Sequence, residues 1–195
     1  MEIYHTPVFP LIISELQLPA FSSVKSSLIE WIYKYKETTG GVVVSNRGGW
    51  QSPSDFWQEE SFKEFYDYMN IGFYGLSEAY PKYNFSISNM WINVNNKGDY
   101  NVSHCHPQCE MSGCLYIKVP ENSGGIKFYC PDEFQRSRLL RVANPEFTEK
   151  FNFCANYTYT QPSEGMMLFF PPYLYHEVES NQSNEDRITI AFNFS

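Results

Sequence analysis

Three of the four histidines in this chain are arranged so that they could hold a metal ion. His104 and His106 share the tetrapeptide His104-Cys105-His106-Pro107, and His176 follows far downstream, closing the apolar run 166–175. Residues two apart in an extended strand point to one face, so His104 and His106 can offer both imidazoles to one ion. A third ligand must come from elsewhere, and His176 is the candidate. Neutral imidazole suits Fe(II), Zn, Cu or Ni. His5 stands alone near the N-terminus and reads as structural or surface. Arg187 opens the strand-like segment Arg187-Ile188-Thr189-Ile190-Ala191-Phe192-Asn193-Phe194. A guanidinium there could grip a carboxylate through two parallel N–H bonds. The pattern suggests a metal site in a small β-barrel with an anion anchor beside it.

The last strand has two faces. Arg187, Thr189, Ala191 and Asn193 share one, and Ile188, Ile190, Phe192 and Phe194 share the other. In one arrangement the apolar face is core and the polar face meets water. In the other, helices cover the apolar face and the polar face lines the barrel lumen, where Thr189 adds a hydroxyl beside Arg187. Alternation alone does not choose between them. Tyr116, in Cys114-Leu115-Tyr116-Ile117-Lys118, could be core or could present its phenol to a ligand.

The elements that must position these residues fall into two textures. The N-terminal stretch 4–13 reads as extended between prolines. Ser22 or Ser23 can cap a helix running to about Thr38, with Val24, Leu28, Trp31, Ile32 and Tyr35 at helical spacing, ended by Gly40-Gly41. Residues 42–44 are a candidate edge strand and 45–52 a loop. A second helix is expected over 61–80, stopped by Pro81. From residue 84 short alternating segments separated by turn residues take over: 85–94, 113–119, 126–130, 151–159, 166–170 and 187–194. That spacing suits a closed or two-sheet β-barrel. The expectation is one domain over 1–195, mainly β with N-terminal helices: 1–83 as helical support and 84–195 as the barrel.

Composition narrows the function classes. A net charge of −8 and scattered Lys and Arg argue against a binder of nucleic acid driven by phosphate contacts. The aromatic share of 18% favours a β-rich domain with an aromatic core or pocket. No signal peptide and no apolar run of membrane length is visible, so no membrane partner is expected. The five cysteines, Cys105, Cys109, Cys114, Cys130 and Cys154, are odd in number and lack zinc-knuckle spacing. They read as reduced packing thiols in a cytoplasmic protein. A homodimer through the N-terminal helices or an edge strand is a further expectation.

Two strings then carry a resemblance. One is Trp91-Ile92-Asn93-Val94, Lys97-Gly98-Asp99, His104-Cys105-His106-Pro107, Ser112-Gly113-Cys114-Leu115-Tyr116-Ile117 and Pro120. The other is Glu164-Gly165-Met166-Met167-Leu168-Phe169-Phe170-Pro171, His176, Asn181 and Arg187-Ile188-Thr189-Ile190-Ala191-Phe192-Asn193. Together with Thr6-Pro7-Val8-Phe9 and residues 45–52, they resemble a 2-oxoglutarate- and Fe(II)-dependent oxygenase family with members in bacteria and marine phages, distantly related to prolyl hydroxylases. The resemblance implies a double-stranded β-helix, that is, a jelly-roll or cupin-like barrel. It implies Fe(II) at His104, His106 and His176. It also implies 2-oxoglutarate held by Arg187, Thr189 and Tyr116, with Asn93 as a further contact. The implied chemistry is hydroxylation by O2 of an unidentified peptidyl residue or small molecule, with release of succinate and CO2. A phage-encoded member would work in the host cytoplasm.

His106 departs from the wider pattern, which places a carboxylate at that position. Three histidines leave the same open positions with one negative charge fewer. Asp99 and Glu110 are the nearby carboxylates that could substitute. Glu110 opens a rival reading, because Gly98, His104-x-His106 and Glu110 copy the first cupin motif. A cupin-type metal protein would use Glu110 and would not need 2-oxoglutarate. A β-barrel binding module with a degenerate metal site is the non-enzymatic alternative.

Overall fold

A computed structural model describes residues 11–132 and 157–195. His5 and Cys154 lie outside the described residues, as does 151–156 of the segment expected as strand. Strand β1 (Ser14–Gln17) precedes helix α1 (Phe21–Thr38). Two short strands follow, β2 (Asn46–Arg47) and β3 (Trp50–Gln51). Two single 3-10 turns then lead into α2 (Lys63–Ala79). The strands β4 (Ile87–Asn95), β5 (Tyr100–His104), β6 (Met111–Lys118) and β7 (Ile126–Tyr129) come next. After them come β8 (Tyr157–Thr160), β9 (Met166–Phe170), β10 (His176–Val178) and β11 (Arg187–Phe194). They form a six-stranded sheet, β1-β9-β6-β11-β4-β3, and a five-stranded sheet, β2-β5-β10-β7-β8. Every pairing is antiparallel.

The helices bury one stripe each. In α2 the buried residues are Phe65, Met69, Gly72, Phe73 and Leu76, three or four apart as one helical face requires. That face packs on the six-stranded sheet: the Phe73 ring lies 5.0 Å from Phe192 and 5.2 Å from Phe194, both edge-on. Ile188, Ile190, Phe192 and Phe194 belong to this helix-covered core. The second arrangement of the last strand is therefore the one formed, with its apolar face under the helices and its polar face turned into the barrel. A smaller core with Tyr116, Phe128, Leu168, Phe170 and Leu174 fills the space between the sheets.

Two local expectations need correction. No serine caps α1. Its N-cap is Ala20, in the left-handed region at φ 52, and Ser23 lies inside the first turn with its hydroxyl donating back to Ala20 O at 2.8 Å. The helix therefore starts from a tight turn after Pro19, not from a side-chain cap. Residues 42–44 are not a strand. Val43 and Val44 are exposed, and the pairing partners of this region are instead Asn46–Arg47 with β5 and Trp50–Gln51 with β4, inside the stretch read as a loop. Among the described residues no helix is long and apolar enough to cross a membrane.

Gly113 shows how tightly the helix-side core closes. A Cβ there would lie 2.4 Å from Leu168 O and 2.5 Å from the Phe192 ring. Leu168 O is backbone and cannot swing away. Gly113→Ala is expected to destabilise the fold by about 1–3 kcal/mol, lowering the melting midpoint by roughly 2–4 °C per kcal/mol. An unchanged midpoint in differential scanning calorimetry would show that the sheet relaxes freely at this point.

Candidate metal and cosubstrate site

Strands β5 and β10 place two of the histidines opposite each other, with His176 paired to His104 across the antiparallel ladder. His106 lies two residues past the end of β5. Its position is set by a backbone bond from His106 N to Pro172 O at 2.8 Å, which ties the two histidine-bearing segments together. The cost is local, since Gln108 in the following turn sits at φ 70.

The three ring centroids are 4.4–5.2 Å apart, and one ligand nitrogen from each residue lies within 4.8 Å of the others. An ion about 2.1 Å from each nitrogen needs them within about 4.2 Å, so a small rotation of the rings closes the set. His104 Nδ1 donates to Val102 O at 2.7 Å and His176 Nδ1 to Leu174 O at 2.9 Å. A carbonyl can only accept, so both rings carry their proton on Nδ1 and keep Nε2 free for a metal. His106 Nδ1 meets Asn193 Oδ1 at 2.7 Å. Aromatic rings enclose the group: Phe170 and Phe128 lie 4.8 and 5.8 Å from His176, and Trp91 lies 5.5 Å from His106.

Burial in these surroundings disfavours the charged imidazolium. It lowers His104, brings His106 down to about 4 and His176 down to about 3, with the mutual repulsion of the rings adding to the last two. All three are neutral at pH 7, as ligands must be. The unfolded chain holds the ordinary value near 6.5, so the folded state binds fewer protons. The stability contributed by the neutral rings is complete above about pH 6.5 and is lost as the pH falls toward the folded values. Metal-free protein is expected to lose up to about 1.4 kcal/mol per pH unit per histidine below pH 6.5. Urea unfolding from pH 7 to pH 4.5 measures this, and His176→Phe should flatten the slope. An identical slope in the variant would contradict the burial assignment.

The polar face of β11 continues the site. Thr189 stands between Asn93 on β4 and Tyr116 on β6, so the three residues form one row across three strands. All three line the cavity that also holds the histidines. Asn93 Nδ2 donates to Thr189 Oγ1 at 3.4 Å, and Asn93 Oδ1 is buried with no partner among the described residues. Tyr116 is buried, and desolvation raises its phenol well above the usual range, so it acts as a neutral hydroxyl. Arg187 lies one step further along the same face, opposite Asn95. It is not among the residues lining the cavity, and it is fully buried at 0% exposure. Its Nη1 donates to the backbone oxygens of Ser123 and Glu179. Its Nε and Nη2 have no partner, and no carboxylate pairs with it among the described residues. A buried cation with no carboxylate in direct contact is costly, and Asp99 and Glu179 act on it only from a distance. Two orphaned N–H groups on one guanidinium are the donor pair that a carboxylate accepts.

Both substitute carboxylates fall away. Glu110 is exposed and hydrogen-bonded with the Tyr83 phenol, and Asp99 accepts from Asn96 N at 2.7 Å in its turn. Among the described residues the ligand cluster is His104, His106 and His176, without Glu110, so the cupin reading lacks its fourth ligand. The described cysteines Cys105, Cys109, Cys114 and Cys130 are free thiols. Sequence reasoning passed over Asn193, Ser112 and Ser123. For Asn193 the signal was present, because it shares the face of Arg187 and Thr189.

Comparison with known proteins agrees with this geometry. No curated protein matches the chain by sequence. Among solved structures, the chain resembles a Pseudomonas putida prolyl-4-hydroxylase at 14% identity and TM-score 0.62, covering 93% of this chain and 91% of that one. It resembles a viral collagen prolyl hydroxylase from Paramecium Bursaria Chlorella virus-1, in complex with 2-oxoglutarate, at 15% identity and TM-score 0.60, covering 93% and 94%. It also resembles HygX from Streptomyces hygroscopicus, with nickel and 2-oxoglutarate bound, at 11% identity and TM-score 0.63, covering 95% and 83%. At these identities the likeness establishes the fold, a jelly-roll double-stranded β-helix. The model of the 2OG-Fe(II) oxygenase family matches residues 89–193, a stretch that holds all three histidines, Tyr116 and Arg187, and the chain belongs to that family.

Proposed function

We propose that His104, His106 and His176 hold the Fe(II) of this 2-oxoglutarate-dependent oxygenase, and that Arg187, Thr189, Tyr116 and Asn93 receive its cosubstrate. The chemistry we assign is hydroxylation of an unactivated C–H bond in a peptidyl residue or small molecule. The observation that carries the reading is the pairing of three neutral imidazoles with a buried, half-partnered Arg187 at the two ends of one polar strand face. The first fits a divalent ion and the second fits the far carboxylate of a dicarboxylate. When bound, the iron–2-oxoglutarate pair supplies the oxidant from O2, with succinate and CO2 as the other products.

The rest is work for this chain's own residues. The backbone carbonyls of Val102 and Leu174 hold two rings in the Nδ1–H form, so that Nε2 keeps its lone pair. Arg187 Nε and Nη2 orient the cosubstrate by its far end, and Thr189 and Tyr116 add hydroxyl donors. Phe170, Phe128 and Trp91 keep water away from the reacting centre. Three neutral ligands leave the double positive charge of the ion uncompensated until an anion arrives. Metal and 2-oxoglutarate are therefore expected to tighten each other's binding, as linkage requires.

The test is anaerobic titration of metal-free protein with Fe(II) and then 2-oxoglutarate, following the weak visible charge-transfer band of the chelate, and then succinate release on admitting O2. Iron binding with no band on adding 2-oxoglutarate would favour a metal protein that does not use this cosubstrate. No iron binding would overturn the reading.

A further inference from the structure

His106 differs from the other two histidines in what holds it. His104 and His176 donate Nδ1–H to a backbone carbonyl two residues earlier, which no substitution can remove. His106 has left the strand, and its Nδ1 meets a side chain, the Asn193 carboxamide oxygen at 2.7 Å. That oxygen also accepts from Ser112 Oγ at 2.7 Å, and Asn193 Nδ2 donates to Asn89 Oδ1 at 2.8 Å. Asn193, Ser112 and Asn89 form one cross-strand row on β11, β6 and β4, so the sheet register places them together. Ser112 is fully buried and Asn193 nearly so.

We propose that Asn193 is a positioning residue for the metal centre: its carboxamide oxygen holds the His106 ring in the Nδ1–H tautomer that leaves Nε2 able to bind the metal. This rests on the metal-site reading above. The opposite amide orientation would aim Nδ2 at His106 Nδ1, move the ring proton to Nε2, and block the nitrogen a metal needs. A carboxylate at position 106 would have no tautomer to set. A histidine there does, and Asn193 is the side chain that sets it. Partners of this kind typically govern metal affinity by about 10–100-fold.

The test uses Co(II) as the probe ion, read by isothermal titration and by its visible absorption. It compares wild-type protein, Asn193→Leu, Asn193→Asp and Ser112→Ala, each checked for folding by thermal unfolding without metal. Asn193→Leu is expected to weaken Co(II) about 10–100-fold. Asn193→Asp keeps an acceptor and should stay within about threefold of wild type, and Ser112→Ala should fall between them. Wild-type affinity in a folded Asn193→Leu protein would overturn the proposal. Should Asn193→Leu fail to fold, nitrogen-15 NMR of the metal-free wild type decides: the Nδ1–H form at His106 supports the proposal, and the Nε2–H form overturns it. If wild-type protein binds no Co(II) while His106 shows the Nδ1–H form, the metal-site reading fails and the Asn193–His106 contact remains as a structural one.

Discussion

Arg187→Met is expected to raise the 2-oxoglutarate concentration needed for half-saturation by about 100-fold or more while leaving Fe(II) affinity in the absence of 2-oxoglutarate nearly unchanged. The size follows from the surroundings. The guanidinium is fully buried, and Nε and Nη2 are unpartnered among the described residues. Removing one member of a buried, hydrogen-bonded charge pair costs about 2–5 kcal/mol. The cosubstrate would lose both its counter-charge and its geometry. The same variant should not lower the melting midpoint of metal-free protein. Methionine fills a similar volume and relieves the desolvation of a cation with no carboxylate in direct contact, which offsets the bonds lost to Ser123 O and Glu179 O. A cosubstrate requirement unchanged in the variant would remove Arg187 from the site. A large drop in stability with unchanged binding would make its role structural.

His176→Ala is expected to abolish the iron–2-oxoglutarate absorption band and weaken Fe(II) by more than about 100-fold. Two imidazoles on a short loop and strand end cannot replace a facial set of three, and among the described residues no carboxylate joins the cluster to take the vacant place. The loss is larger than that expected for Asn193→Leu, because a ligand is deleted and not merely turned. The fold should survive, since the ring packs against Phe128 and Phe170, which remain in contact with each other at 5.0 Å. Far-ultraviolet circular dichroism alongside the iron titration separates the two effects. Retained iron binding in folded His176→Ala would assign the metal elsewhere.

Several features are legible in the sequence because they depend on neighbours along the chain. Strands Met166–Phe170 and Arg187–Phe194 coincide with the segments read from alternation. Helix α1 ends at Thr38 as expected, and α2 begins two residues later than expected, after a 3-10 turn. The strand at His176–Val178 was not foreseen: three residues after two prolines carry too little alternation to read. The short strands at 46–47 and 50–51 escaped for the same reason, since a two-residue strand exists only through its partner.

By itself the sequence determined the chemistry on offer: three histidines, an arginine heading a two-faced strand, and strand parity that places Thr189 and Asn193 with Arg187. Those are properties of residue type and of a period-two backbone, and they survive without knowledge of any distant contact. Tertiary structure alone decided which face of that strand looks inward, because the answer depends on where α1 and α2 pack. It decided that Glu110 points to solvent beside Tyr83 and is no ligand. It decided that His176 pairs with His104, a contact between strands far apart in the chain whose register is set by pairing with β5 and β7. And it joined Asn193 directly to His106, with Ser112 and Asn89 holding the carboxamide from the two neighbouring strands, a row that no local pattern could have assembled.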